Sequence, residues 1–416
     1  MTETKDNVNG VNRFILPNGL RIVHEPTASR VAYCGFAVDA GTRDETDDTP
    51  GMAHFVEHLL FKGTRKRRAW HILNRMEAVG GDLNAYTNKE ETVVYCAFLA
   101  EHFERALELL ADIVFHSTFP QHEVEKEAEV VIDEIQSYED SPSELIYDDF
   151  EDMLFRGHPL GRNILGDPVR LKAYRSADVA AFARRFYRAD NMVLFVQGAV
   201  DFRRVLRLAE RFTADLPLSA SSSLPRRTPP PPYVPAQAAQ VRSTHQTHVM
   251  LGCRAYDAHD PRRTALYLLS NLLGGPGMNS RLNVSLRERR GLVYNVEANL
   301  VSYTDTGTFC IYFGCDPADE ARCLSLVRRE LRRLRDAPLT ASQLAAAQKQ
   351  LVGQIGVASD NSENNALGMA KLFLHYNRYE TPADVCRRVE ALTPSLLWQV
   401  ANELLADDNL SLLVYR

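Results

Sequence analysis

Apolar residues recur along this chain with two different periods, and the order of those periods predicts its elements. Near the start, Phe14-Ile15-Leu16 and Leu20-Arg21-Ile22-Val23 flank Pro17-Asn18-Gly19, which is the pattern of a hairpin over 14–23. A strand pattern follows at 31–40 (VAYCGFAVDA), then a polar loop. Next comes Gly51-Met52-Ala53-His54-Phe55-Val56-Glu57-His58-Leu59-Leu60, which reads as a short helix with apolar neighbours on almost every side. A second helix at 71–79 closes at Gly80-Gly81, and strands are expected at 82–87 and 91–99. The first of these is short, polar and irregular, as an edge strand is. Helical patterns at 102–115, 121–138, 143–155 and 177–187 lead to a strand at 192–198.

The stretch 216–239 (LPLSASSSLPRRTPPPPYVPAQAA) concentrates proline and serine and marks a linker. Beyond it the order repeats: a strand at 249–256, a polar loop, and an apolar helix at 264–273 that has no histidine or carboxylate. The repeat predicts an α+β fold of two homologous α/β-sandwich halves, each an antiparallel sheet packed with helices. The expected domains are 1–215, the linker 216–239 and 240–416, with only the first half able to hold a metal.

A chain of 416 residues suits about two domains, and 25% charged with 45% hydrophobic residues is a soluble, globular profile. A net charge of −6 argues against nucleic acid as a partner; Arg328-Arg329 and Arg332-Arg333 read as the solvated face of an amphipathic helix. No run approaches a membrane span, and Met1-Thr2-Glu3-Thr4-Lys5-Asp6 has neither the apolar core of a secretory signal nor the arginines of a transit peptide. Seven scattered cysteines read as reduced core thiols, so a cytoplasmic location without a membrane partner is expected.

The chemistry concentrates in the first helix. Residues at i, i+3 and i+4 share a face, so His54, Glu57 and His58 converge. Two imidazoles four apart can arise by chance among twelve histidines, or lie on a solvated face. Here the flanking Met52, Phe55, Val56, Leu59 and Leu60 predict burial, which costs about 1–3 kcal/mol per unsatisfied polar group and so favours a bound ion. In the helix at 121–138 most acids are a solvated face, but Glu127 and Glu134 lie two turns apart on one side, next to Val131 and Ile135. The edge at 82–87 could be blunted by loops or could dock an extended peptide.

With the inverted His-x-x-Glu-His motif, Glu134 placed 76 residues after His58 and Glu127 seven before it, the chain resembles the inverzincin metallopeptidases. It looks most like the short-chain branch that includes mitochondrial processing peptidase and its bacterial relatives, with pitrilysin and insulysin as longer cousins. The resemblance implies one Zn2+ per chain held by His54, His58 and Glu134, with Glu57 as general base and Glu127 orienting a ligand. It implies that Asn84 and Ala85, in the stretch 80–87, lie on a substrate-binding edge strand. It also implies that Arg287 and Tyr294, in Leu286-Arg287-Glu288-Arg289-Arg290-Gly291-Leu292-Val293-Tyr294, grip the substrate backbone and stabilise the transition state. From the residues alone, Arg287 reads as a solvated helix end and Tyr294 as a core aromatic in a strand.

The resemblance further implies pseudo-twofold halves forming half of a clam-shell chamber, completed by a second chain. Arg287 and Tyr294 of one subunit would then serve the zinc of its partner. A homodimer acting on unfolded peptides or small polypeptides is sufficient, and a heterodimer with a metal-free paralogue is not required. The competing reading is a non-catalytic, peptide-binding subunit, which in such families lacks ligands that this chain keeps. A zinc hydrolase of small molecules is disfavoured by the edge strand.

Overall fold

The computed structural model describes residues 6–8, 10–218, 226–242 and 244–416. The leading residues 1–5 and the middle of the proline-serine linker, 219–225, lie outside them. Two compact units result.

The first unit comprises residues up to 136, then 162–227 and 361–381. Its sheet has seven strands: β1 (Asp6–Val8), β2 (Val11–Ile15), β3 (Arg21–Pro26), β4 (Val31–Val38), β5 (Asp82–Thr87), β6 (Thr92–Leu99) and β7 (Met192–Gly198), in the order β1-β2-β3-β7-β4-β6-β5. The hairpin between β2 and β3 closes with Leu16 and Leu20 paired and Gly19 in the left-handed region at φ +89°. Pairing is antiparallel except for β3 with β7, where the long helical connection returns the chain in the same direction. β5 is an edge strand, as its polar sequence implied.

The second unit comprises 137–161, 228–360 and 382–416. Its five strands are β8 (Gln237–Gln240), β9 (Thr247–Ala255), β10 (Val293–Ser302), β11 (Gly307–Cys315) and β12 (Ser411–Tyr415), in the order β10-β11-β9-β12-β8. Here β8 and β12 are the parallel pair. Both units are therefore sheet-plus-helix bodies of the α+β class.

The units are not contiguous halves of the sequence. Helix Pro142–Leu154, from the first half, sets Ile146, Phe150 and Leu154 against Met250, Tyr312, Leu413 and Tyr415 of the second unit's sheet. Helix Ser362–Tyr376, from the second half, sets Ala366, Met369, Ala370 and Phe373 against Val23, Ala37, Val193 and Phe195 of the first. Each apolar stripe covers one sheet face that would otherwise stand in water, at about 25 cal/mol per Å2 of apolar surface removed. Lys371 and His375 of the second helix also bind the buried Glu91 at 2.7 and 2.8 Å. No helix among the described residues is long and apolar enough to cross a membrane. All seven cysteines are free thiols.

Candidate metal centre

Helix Met52–Leu60 is buried at every residue but His58, which is half-buried. Its apolar side chains pin it from several sides, so the three polar ones cannot swing away. The helix starts at Gly51, whose φ of +78° and close approach to Gly166, with a built Cβ only 2.6 Å from the Gly166 Cα, leave room for no side chain. Its first N–H groups find their acceptors on Glu45, whose two carboxylate oxygens each accept a bond of 2.9 Å, from Gly51 and Ala53.

His54 and His58 place their rings 4.5 Å apart, centroid to centroid. Glu134, on helix Gln121–Glu139, brings Oε2 to 3.6 Å from His58 Nε2 and 3.9 Å from His54 Nε2. One donor atom from each of the three lies within 4.8 Å of the others. Seven residues earlier on the same helix, Glu127 accepts a 2.9 Å hydrogen bond from Nδ1 of His58, which leaves the His58 Nε2 lone pair directed to the cluster. Lys62, one turn beyond His58, sits 2.6 Å from the other oxygen of Glu127.

The electrostatics favour a ligand set. Burial, and then the neighbouring His58, push the His54 imidazole down to about 3, so it is neutral with its lone pair free. Burial alone would lower His58, but Glu127 and the nearby Glu57 and Glu134 outweigh it and raise it. Burial would raise Glu127, yet the bonds from His58 and Lys62 hold its carboxyl below the usual range. The Glu57 carboxyl is raised by burial, against a hydrogen bond from Thr87 and the attraction of His58.

At the site, His54 Nδ1 and Glu57 Oε2 are buried without a hydrogen-bond partner among the described residues, and Glu127 Oε2 has the Lys62 ammonium as its ion-pair partner. Two imidazole Nε2 atoms and one carboxylate oxygen are nitrogen and oxygen donors of the kind a zinc ion takes, and three of them leave a coordination position open. The Glu134 side chain is 37% exposed, so the cluster faces solvent on that side. The residues present fit such an ion.

The remaining predicted residues fall in two places. Asn84 stands exposed on β5, with its side-chain oxygen accepting a 2.9 Å bond from the N–H of Ala85, which is half-buried. β5 packs along the His54 helix, and its last residue, Thr87, is the one bonded to Glu57. Arg287 and Tyr294 belong to the second unit, where the guanidinium carbon stands 5.8 Å from the ring centre. Arg287 lies in a π-helical turn, Asn283–Glu288, of the kind frequent at functional sites. Tyr294 is no core aromatic: it is 82% exposed, because the register of β10 shifts between Val293 and Val296 and turns the ring outward.

Sequence reading missed Lys62, Glu45 and Thr87. Lys62 alone carried a local signal, lying four residues after His58 on the continuing helical spiral.

A buried helix thus presents two histidines and a glutamate toward the carboxylate of Glu134, a donor set that fits a metal ion. Comparison with known proteins identifies the family. The family model described as "Insulinase (Peptidase family M16)" matches residues 21–168, and the "Peptidase M16 inactive domain" model matches 175–351. An uncharacterized zinc protease of Mycobacterium leprae is 35% identical over 401 residues, covering 95% of this chain and 89% of that protein. The uncharacterized zinc protease YmxG of Bacillus subtilis is 30% identical, with 96% of each covered. Among solved structures, a protease from Helicobacter pylori superposes with a TM-score of 0.92 at 23% identity, over 98% of this chain and 99% of that one. A peptidase M16 inactive domain from Pseudomonas fluorescens gives a TM-score of 0.89 at 22% identity, over 98% of each. The chain belongs to peptidase family M16.

Proposed function

We propose that this protein is a zinc endopeptidase that hydrolyses unfolded peptides, with one ion per chain held by His54, His58 and Glu134. The observation that carries the reading is the convergence of those three donor groups beside Glu57, whose buried Oε2 has no partner to consume its basicity. Zinc, when bound, supplies Lewis acidity that makes water a nucleophile at neutral pH.

Glu57 then handles the protons. As the water oxygen bonds to the substrate carbonyl carbon, Glu57 Oε2 takes the water proton; as the C–N bond breaks, the same oxygen returns it to the leaving amine. A carboxyl raised by burial is suited to both halves of that exchange. Glu127 fixes the ring of His58, and Lys62 fixes Glu127. The outer edge of β5, with Asn84 and Ala85, aligns an extended substrate by adding it as a strand beside Glu57.

Arg287 and Tyr294 hold the substrate backbone and donate to the developing oxyanion. Both are exposed, and the tyrosine ring stands free for a neighbour. We assign them to the centre of a second copy of the chain, so that a homodimer carries two complete sites. The "inactive domain" model matches residues 175–351, downstream of the whole His54–Glu134 set, which is compatible with a donor-bearing first half. Free thiols throughout support work in the cytoplasm.

Glu57→Gln is the direct test: the variant is expected to bind zinc as the wild type does while losing cleavage of an unstructured peptide by about a thousandfold or more, in keeping with removal of a general base that also donates. A fully active Glu57→Gln protein overturns the mechanism.

A further inference from the structure

Thr87 ends the edge strand β5 and bonds the Glu57 carboxyl, and a second hydroxyl stands behind it. In the register of the sheet Thr87 lies directly opposite Thr92, the first residue of β6, and their hydroxyl oxygens are 3.2 Å apart. Thr92 in turn donates to the carbonyl of Ala40 at 3.0 Å. The threonines are 8% and 1% exposed and Glu57 is buried with them, so these bonds are made within the chain and their protons can be counted.

A hydroxyl carries one proton and two lone pairs. The Ala40 carbonyl only accepts, so it takes the Thr92 proton, and the bond between the threonines is donated by Thr87. That arrangement turns a Thr87 lone pair toward Glu57, which suits a carboxyl carrying a proton. A bare carboxylate needs the reverse, with the Thr87 proton turned toward Glu57 and Thr92 still bonded to Ala40. Thr87 therefore has one proton and two acceptors, and each choice matches one state of the base. Tyr187 is buried within the influence of both Glu57 and Thr92; its hydroxyl has no partner among the described residues and is a donor that Thr92 can accept when Thr87 turns away.

We propose that Thr87 is a positioning residue for Glu57, its hydroxyl turning between Glu57 and Thr92 as the carboxyl takes up and returns the water proton. The proposal rests on the reading of Glu57 as general base. No proton leaves Thr87; only its O–H bond rotates, so the carboxyl keeps its aim through both halves of the exchange without displacement of a heavy atom. Glu57 Oε2, which has no partner, is the oxygen left to meet the water. Thr92 acts one step further back, by accepting the proton that Thr87 turns away from Glu57. Because Thr87 belongs to β5, the base is held by the same strand that aligns the substrate.

Steady-state cleavage of an unstructured quenched-fluorescence peptide by the full-length, zinc-loaded protein tests this, with zinc affinity measured on each variant. Thr87→Val keeps the shape of the side chain and is expected to lower kcat about tenfold or more, while KM and zinc affinity stay within about twofold of wild type. Thr87→Ser restores the hydroxyl and brings kcat back to within about threefold. Thr92→Val, which leaves Thr87 a single acceptor, lowers kcat about threefold or more at unchanged KM and carries the test on its own where Thr87→Val does not fold. Thr213→Val removes a buried hydroxyl bonded to Ala209 instead; it lowers the melting temperature and leaves kcat within about twofold. A Glu57→Gln protein that cleaves like wild type takes down the base and the proposal together. With Glu57→Gln inactive, the proposal alone is overturned by kcat of Thr87→Val and Thr92→Val within twofold of wild type, by Thr87→Ser as slow as Thr87→Val, or by a loss of zinc affinity that matches the loss of kcat.

Discussion

Lys62→Met isolates the support beneath the metal ligands without touching any of them. The lysine ammonium lies 2.6 Å from Glu127 Oε2, and the side chains are 27% and 4% exposed. Methionine keeps the length of the side chain and removes its charge, so Oε2 is left buried without a donor while Oε1 keeps His58 at 2.9 Å. A hydrogen bond to a charged group contributes about 1.5–3 kcal/mol net, and the partial exposure of Lys62 places this one near the lower end, about 1.5 kcal/mol. Because the lost partner is the one that fixes Glu127, and Glu127 fixes His58, the cost falls on the zinc complex. About 1.5 kcal/mol is roughly a tenfold loss of zinc affinity, within the 10–100-fold range for groups that orient metal ligands.

Competition titration of the metal-free protein against a chromophoric chelator reads that change directly. A double-mutant cycle strengthens the test: with Glu127→Gln already present, adding Lys62→Met costs little more, because the two act through one chain of contacts. Zinc affinity of Lys62→Met within twofold of wild type, or penalties that simply add, refutes the relay.

Three other outcomes are expected. Glu91 is buried and bonded to His375 and Lys371; burial would raise its carboxyl, but those two partners lower it from its ordinary 4.5 to about 2. A depressed carboxyl stabilises the fold above its ordinary value, and that stability is lost as pH falls through about 2. Glu91→Gln should therefore cost about 3 kcal/mol in neutral denaturant unfolding, with the gap to wild type narrowing below pH 4.5; a gap constant with pH contradicts the assignment. Gly51→Ala forces a Cβ into the Gly166 backbone at positive φ and should destabilise by about 2 kcal/mol or more, read as a lowered melting temperature together with weaker zinc binding. Mixing Glu57→Gln chains with Arg287→Ala chains should restore part of the peptide cleavage that each lacks alone, and absence of rescue argues against a site shared between copies.

Much of this was legible because the decisive signals are local. Strand β7 falls on residues 192–198 as its apolar run implies, and the helix at His54 begins and ends within a residue or two of its pattern. The cluster of His54, His58 and Glu134 follows from helical spacing together with the resemblance, and geometry alone would not have reached Glu134 across the sequence. What stayed hidden depends on pairing between distant segments. An amphipathic stripe does not say which sheet it covers, so the pairing of the Ile146 helix with the second sheet and of the Phe373 helix with the first is visible only in the fold. Lys62 and Glu45 matter only through partners that the fold delivers. Tyr294 alternates like a core residue, and only the irregular register of β10 turns it out to solvent.

Zinc titration of the metal-free wild-type protein, with cleavage of an unstructured quenched-fluorescence peptide followed at each addition, shows whether peptide hydrolysis depends on one ion held by His54, His58 and Glu134. Activity should rise from zero and break at one equivalent of zinc per chain. Absence of cleavage at full zinc occupancy, or cleavage already complete in chelator before zinc is added, contradicts a zinc endopeptidase.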